Sequence, residues 1–325
     1  MNRTLITGAA GFVGANLARC LLQDGYEVHL LLRHTNDNWR LREISAECRI
    51  VVGDIRDPEA VRSAVRSVKP QSVFHLAAYG AYSQQTGFQE MAATNLLGSA
   101  ALLDACVEAG VERFVQTGSS SEYGYKDHAA SELEVLDPNS HYAITKAAAT
   151  HYCTYTARTT GIRAVTARLY SVYGPYEEPS RLIPTLLVHG LKGKLPPLVS
   201  PATARDFVHV DDAVRALLEL ATRDQVRPGA VYNVATGTQT TLGEIVQQAR
   251  AILDIAAEPK WGAMQQRSWD TDVWVGNPSA IGRDIGWVRE ITVREGLLRT
   301  IDWFRNHPEW LTFYDSRIFS GNMPG

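Results

Sequence analysis

The stretch Thr7-Gly8-Ala9-Ala10-Gly11-Phe12-Val13-Gly14 decides the fold. A short apolar run at 4–7 precedes it. Val13, Leu17, Cys20 and Leu21 follow at helical spacing, and Gly25 is a stop signal. Between a strand and a helix the three glycines have separate tasks. Gly8 permits a tight turn, Gly11 lets a backbone approach a pyrophosphate, and Gly14 lets helix pack close to strand. The helix N-terminus aims unpaired N–H groups at the phosphates. The loop therefore reads as a dinucleotide cradle, with Gly8, Gly11, Phe12, Val13 and Gly14 as contacts.

Outward from the loop, β-rich runs alternate with helical patterns. Strands are expected at 4–7, 27–32, 48–52, 72–75, 113–117 and 163–168, with helices at about 58–68, at 88–110 and from near Ser140. Such alternation builds a parallel sheet covered on both faces, and right-handed crossovers favour a doubly wound one. Near Tyr173 the character changes. Pro175, Pro179, Pro184, Pro196, Pro197 and Pro201 crowd together, and Trp261, Trp269, Trp274, Trp287, Trp303 and Trp310 come late. The expected fold is α/β: a Rossmann-type doubly wound parallel sheet over 1–172 plus about 205–235. A smaller, more irregular C-terminal substrate-binding domain takes about 173–204 and 236–325.

Composition bounds the partners. The 325 residues, 45% hydrophobic and 21% charged, exclude disorder and coiled coil. With 32 basic against 35 acidic residues the net charge is −3, which argues against a nucleic-acid partner. No run of about 18 apolar residues spans a membrane. The start, Met1-Asn2-Arg3-Thr4, lacks a secretory pattern. Cys20, Cys48, Cys106 and Cys153 form no C-x-x-C pair, so thiols in a reducing cytoplasm are expected, and no metal site.

The second strand chooses the dinucleotide. An acid at its tip would bind a ribose 2′-hydroxyl, whereas an arginine accommodates a 2′-phosphate. Here the tip is Arg33-His34, so NADP(H) is favoured over NAD(H). Further on, Tyr142-Ala143-Ile144-Thr145-Lys146 places a phenol and an ammonium on one helix face. The ammonium is expected to bring the phenol toward its working range.

The G-x-x-G-x-x-G spacing and this Y-x-x-x-K together resemble the short-chain dehydrogenase/reductase superfamily. Chain length and the C-terminal half point to its extended branch, the NAD(P)-dependent epimerase/dehydratases, which act mostly on nucleotide sugars. The resemblance implies roles for further residues. Asp54, followed by Ile55, matches the position that holds the adenine amine, with a helix cap as the alternative. Leu76, Ala77 and Ala78, after His75, line the nicotinamide end, and Asn95 matches another cofactor position. Lys146 also binds the nicotinamide ribose. In Gly118-Ser119-Ser120-Ser121-Glu122-Tyr123-Gly124, Ser119 falls on the catalytic serine or threonine, and Ser120 is the runner-up. The family's 4,6-dehydratases carry an acid pair, or serine and glutamate, at the next two positions. Here Ser120 and Ser121 stand there as substrate contacts, and Glu122 reaches in only if the loop is re-registered.

On the sugar-nucleotide side, Arg168-Leu169-Tyr170-Ser171-Val172-Tyr173-Gly174-Pro175 and Arg205-Asp206-Phe207-Val208-His209-Val210-Asp211-Asp212 match family segments. The resemblance implies a diphosphate clamp by Arg205 and Arg267, with Arg181 approaching the nucleotide. The structural alternative for Arg205 is an ion pair with Asp206 or Asp211. The serine loop is similar to that of GDP-4-keto-6-deoxy-mannose reductases. His75 to Gly80, and Gly262 to Arg267 with Gln265-Gln266, are similar to CDP-abequose synthase. The implied activity is an NADPH-dependent 4-ketoreductase of a nucleotide-linked 4-keto-6-deoxyhexose. A sugar-nucleotide 4-epimerase is the alternative, then a 4,6-dehydratase, then a non-enzymatic dinucleotide sensor or RNA-binding relative. A homodimer pairing the helices at 88–110 and 140–160 is also implied.

Overall fold

The structure, a computed structural model, describes residues 2–33, 38–82, 84–264 and 273–319. Strand β1 (Arg3–Thr7) is buried from Thr4 onward. Helix α1 (Phe12–Gln23) presses Ala15, Leu17, Ala18 and Leu21 onto the sheet, the spacing of one helix face. The chain reverses at Gly25, at φ +77°, into β2 (Glu27–Leu32). After β3 (Arg49–Val52), the Asp57 carboxylate accepts the N–H groups of Glu59 and Ala60 and so starts α2 (Pro58–Val68). Then come β4 (Ser72–His75) and a composite helix, α3. It is α-helical over Phe88–Met91, widens to a π-helix over Ala92–Gly98 and resumes over Ser99–Glu108. Strand β5 (Arg113–Ser119) leads through a 3-10 turn at Ser120–Tyr123 to α4 (His141–Thr160), which Ser140 caps, and to β6 (Arg163–Leu169).

Beyond β6 lie β7 (Ser171–Tyr173), α5 (Leu182–Gly190), β8 (Ala204–Arg205), β9 (Phe207–His209), α6 (Val210–Thr222) and β10 (Val231–Val234). They are followed by β11 (Thr240–Thr241), α7 (Leu242–Leu253), α8 (Ser279–Ile285), α9 (Val293–Asn306) and α10 (Pro308–Phe319). The main sheet has seven strands in the order β10-β6-β5-β4-β1-β2-β3. Every pairing in it is parallel. From β1 the chain winds outward to β3, then returns to lay β4 on the other side of β1. The crevice at the carboxyl ends of β1 and β4 is therefore the switch point where ligands bind such sheets.

Two regions differ from the sequence expectation. Strand β10 extends the sheet beyond β6, a place for which no strand was expected. The late, tryptophan-rich part is largely helical rather than irregular. Its aromatic rings pack as a cluster: Trp303 lies 4.8 Å from Tyr176, and Trp310 lies 5.5 Å from Trp39 between ring centres. This cluster ties the segment after β2 to the last two helices.

Candidate active site

Gly8 leaves β1 at φ +73°, and a Cβ there would lie 2.5 Å from the Leu76–Ala77 backbone. Gly14 packs as closely, since a Cβ on it would meet Gly8 O at 2.4 Å. Gly11 differs. It is exposed, in extended conformation, and a Cβ on it would meet nothing nearer than Gly8 O at 3.1 Å. Gly8 and Gly14 thus close the turn on the protein itself, whereas Gly11 presents bare backbone outward. The α1 N-terminus carries no side-chain cap. Bare backbone and unpaired helix N–H groups at the switch point fit a dinucleotide pyrophosphate.

Thr7 and His75 face each other across β1 and β4. Their side chains meet at 2.6 Å, and His75 Nε2 lies 2.7 Å from Ser99 Oγ. The Ser99 hydroxyl itself donates to Asn95 O, so His75 Nε2 carries the proton and Nδ1 accepts from Thr7. Burial, with help from the Lys146 charge, holds this imidazole down at about 3, so it is neutral. From this rigid base Leu76, Ala77 and Ala78 emerge over the crevice, with Leu76 N–H bonded to Thr7 O.

Other expected cofactor positions are placed as follows. Arg33 is exposed at the tip of β2, close enough to Asp54 to lower its carboxyl further. The first cause of that lowering is Arg56, whose guanidinium grips both Asp54 oxygens at 2.6–3.1 Å. Asp57, not Asp54, is the helix cap. Ile55 is buried against Gly98. Asn95 has no exposure at all. Its amide donates to Tyr79 O and to Thr145 Oγ1 and accepts from Tyr79 N–H, at 2.8–2.9 Å. These bonds tie the segment after β4 to α4, the helix that carries Tyr142. His34 lies outside the described residues.

Tyr142 and Lys146 stand one turn apart on α4. Tyr142 is half-buried and its phenol hydrogen-bonds Ser119. Burial pushes that phenol up to about 12, although the Ser119 bond opposes the rise. The expected lowering by Lys146 is absent here, because burial outweighs charge and the ammonium turns to Thr117 O at 2.5 Å. Burial brings Lys146 down to about 8, against the pull of Glu122.

The serine loop is fixed by a capping box. Ser119 Oγ accepts from Ser121 N–H at 3.2 Å, and Glu122 Oε1 accepts from Ser119 N–H at 2.8 Å. The other Glu122 oxygen takes Arg168 Nε at 2.8 Å, and Arg168 also donates to Tyr123 Oη, which donates to Asn233. Glu122 and Arg168 are both buried and hold each other under the loop. Ser120 is buried and accepts the Trp274 indole N–H at 3.1 Å. The Ser119 hydroxyl donates to Ser121 Oγ at 3.1 Å. The Glu122–Arg168 pair and the Ser120–Trp274 bond escaped the sequence reading. For the first, a signal existed: a charged residue, Arg168, near the end of a strand whose other residues from Ala164 on are uncharged.

Arg181 stands at the N-terminal boundary of α5 without a side-chain capping bond, and its guanidinium donates to Ala81 O at 2.8 Å. Arg205 donates to Ala204 O, and its guanidinium lies 5.4 Å from the Trp274 ring centre. The carboxylate of Asp206 is filled by Thr236, Gly237 and Gly276 N–H groups, and Asp211 pairs with Arg299 at 3.3 Å. Arg267, with Gln265 and Gln266, lies outside the described residues. Among the described residues no helix is long and apolar enough to cross a membrane.

The profile of the "NAD dependent epimerase/dehydratase family" matches residues 4–235. A dTDP-glucose 4,6-dehydratase of Streptomyces griseus is 29% identical, over 98% of each chain. An Arabidopsis thaliana trifunctional UDP-glucose 4,6-dehydratase/UDP-4-keto-6-deoxy-D-glucose 3,5-epimerase/UDP-4-keto-L-rhamnose-reductase is 25% identical over 94% of this chain. The chain spans about half of that relative, 47% of its length. The UDP-glucose 4-epimerase of Thermus thermophilus, solved in complex with NAD, superposes with a TM-score of 0.81 at 29% identity. That superposition covers 93% of this chain and 99% of the other.

Proposed function

The chain belongs to the NAD dependent epimerase/dehydratase family, and from that premise we propose that it is an NADPH-dependent reductase acting on the C4 keto group of a nucleotide-linked 4-keto-6-deoxyhexose. It is an enzyme of nucleotide-sugar chemistry, as its relatives are. One observation carries the choice of reaction. The loop after β5 offers serines at 120 and 121, and Glu122 is locked by Arg168 and the Ser119 N–H. Such a loop lacks the free carboxyl that removal of a C5 proton and loss of water would need. It suits addition across a carbonyl.

Residues 8–14 and 76–78 would hold a reduced dinucleotide, and the chemistry it would supply is a hydride for the sugar carbonyl carbon. Ser119 holds the carbonyl oxygen beside Tyr142. The Tyr142 phenol, pushed by burial up to about 12, is protonated at neutral pH, so it has a proton to give as the oxygen gains charge. Lys146, one turn on, is the cation that would bind the nicotinamide ribose; here its ammonium is turned to Thr117 O. In this reading Arg205 and Arg267 clamp the diphosphate with their guanidinium forks, and Arg181 approaches the nucleotide. The nucleotide sugar is taken mainly by the part built from about 173–204 and 236–325. A 4-epimerase would use the same Ser119, Tyr142 and Lys146, and the NAD in the Thermus structure favours that second reading. Arg33 stands against it.

The chain forms a homodimer through α3 and α4 in this reading. Phe88, Leu97, Ile144 and Tyr155 are exposed on them, the last at 66%. Sedimentation is expected to give twice the chain mass.

The cofactor choice rests on Arg33. NADPH is expected to bind about ten- to a hundredfold more tightly than NADH, the worth of one charge-assisted contact, and Arg33→Ala narrows that gap. Equal dissociation constants in titrations of the unmodified protein would remove the basis for NADPH.

A further inference from the structure

Arg40 belongs to none of the motifs. It lies in a 3-10 turn, Trp39–Leu41, beyond β2, and only 6% of it is exposed. A buried guanidinium must find partners for its fork, and this one finds them in two separate parts of the chain. Its Nε donates to Tyr176 O at 2.7 Å, and one terminal nitrogen pairs with Glu178 Oε2 at 2.9 Å. The other terminal nitrogen reaches Ala10 O at 3.4 Å, inside the glycine loop. The Ala10–Gly11 peptide is thereby held at both ends, since Gly11 N–H donates to Gly8 O at 3.0 Å. Glycine at 11 has no Cβ to restrict its dihedrals, so bonds from outside must fix that peptide plane. The guanidinium also lies 4.1 Å from the Trp39 ring centre, and Arg40 O accepts from Arg19 of α1 at 2.7 Å. A second clasp joins the same parts. Asn16 of α1 donates to Phe12 O at 3.0 Å and to Pro175 O at 3.1 Å. The glycine loop and the first turn of α1 are therefore tied to residues 175–178, which follow β7.

We propose that Arg40 is a positioning residue for the dinucleotide pyrophosphate: by holding the Ala10–Gly11 peptide against residues 175–178, it sets the direction in which the N–H groups that open α1 point. This rests on the dinucleotide reading of the glycine loop. Lysine is no equivalent here. Its ammonium keeps the charge beside Glu178 but has no planar fork to span Ala10 O, Tyr176 O and the carboxylate together.

The test is calorimetric and independent of turnover. NADPH and NADH are titrated into the unmodified protein. The tighter one is then compared with its fragment that lacks the pyrophosphate, adenosine 2′-phosphate for NADPH or adenosine for NADH. In Arg40→Lys, which keeps a cation for Glu178, the dinucleotide is expected to bind about three- to tenfold more weakly, the worth of one hydrogen bond. The fragment is expected to bind as it does to the unmodified protein. Arg40→Met is expected to show at least the same selective loss, and if a melt shows it unfolded the lysine variant decides alone. A merely structural Arg40 would weaken dinucleotide and fragment alike, or neither. Either of those results in Arg40→Lys overturns the assignment while leaving the dinucleotide reading standing. Failure of both dinucleotides to bind the unmodified protein overturns that reading and this one with it.

Discussion

His75 sits wholly inside the sheet with both ring nitrogens engaged, by the Thr7 hydroxyl and by Ser99. It is neutral in the fold, with its pKa held at about 3, while an unfolded imidazole titrates at about 6.5. The unfolded chain therefore binds a proton that the folded chain refuses between those values. Stability is full above about pH 6.5 and is lost as pH falls toward 3. Between pH 7 and 5 the expected loss from this one group is about 2 kcal/mol. Urea unfolding of the unmodified protein and of His75→Gln at both pH values checks it: the variant should lose about that much less. Equal losses would mean that another group carries the acid sensitivity. Burial acts on Tyr142 as well, disfavouring its charged form and pushing the phenol up to about 12.

At the scale of elements, the glycine loop separates a folding role from a binding role. A Cβ on Gly14 would press on Gly8 O at 2.4 Å and Ala9 Cα at 2.9 Å, so α1 could no longer seat against the loop. Gly14→Ala is expected to cost about 1–3 kcal/mol of stability, the range for overpacking. Gly11 is extended, and a Cβ there meets only Gly8 O, at 3.1 Å, a tight contact but far milder than that at Gly14, so alanine there acts mainly where a pyrophosphate must approach. Gly11→Ala is expected to lose much less stability than Gly14→Ala and to bind NADPH at least about tenfold more weakly, a loss of about 1.4 kcal/mol or more. Thermal melts and NADPH titrations of the two variants check the contrast. Local patterning made this unit legible in the sequence: Glu27–Leu32, Pro58–Val68 and Ser72–His75 lie where alternation, the Asp57-Pro58 start and the turn residues put them. The strand and helix around Ser119 and Tyr142 were legible for the same reason. Partners distant in sequence left no local trace. Glu122 meets Arg168 across 46 residues and Ser120 meets Trp274 across 154, and no period encodes either pairing. The π-helical turn at Ala92–Gly98 was equally hidden, since Asn95 earns it by bonding Tyr79 and Thr145 in other elements.

At the scale of the whole molecule, the crevice at the carboxyl ends of β1 and β4 faces segments from the second half, with Arg181 reaching back to Ala81 and Trp274 to Ser120. In the proposed reading a dinucleotide and a nucleotide sugar lie between them, and the serine loop with its locked Glu122 favours reduction. The most direct measurement offers the protein CDP-, dTDP-, GDP- and UDP-linked 4-keto-6-deoxyhexoses, and the four parent hexoses, each with NADPH, reading nicotinamide absorbance and product NMR together. The expected result is stoichiometric loss of NADPH with a new C4 hydroxyl from a keto sugar, little change in the parents, and a rate at least about a hundredfold lower in Tyr142→Phe. Interconversion of parent sugars at C4 without net NADPH loss, or a 4-keto product from a parent sugar, would contradict it.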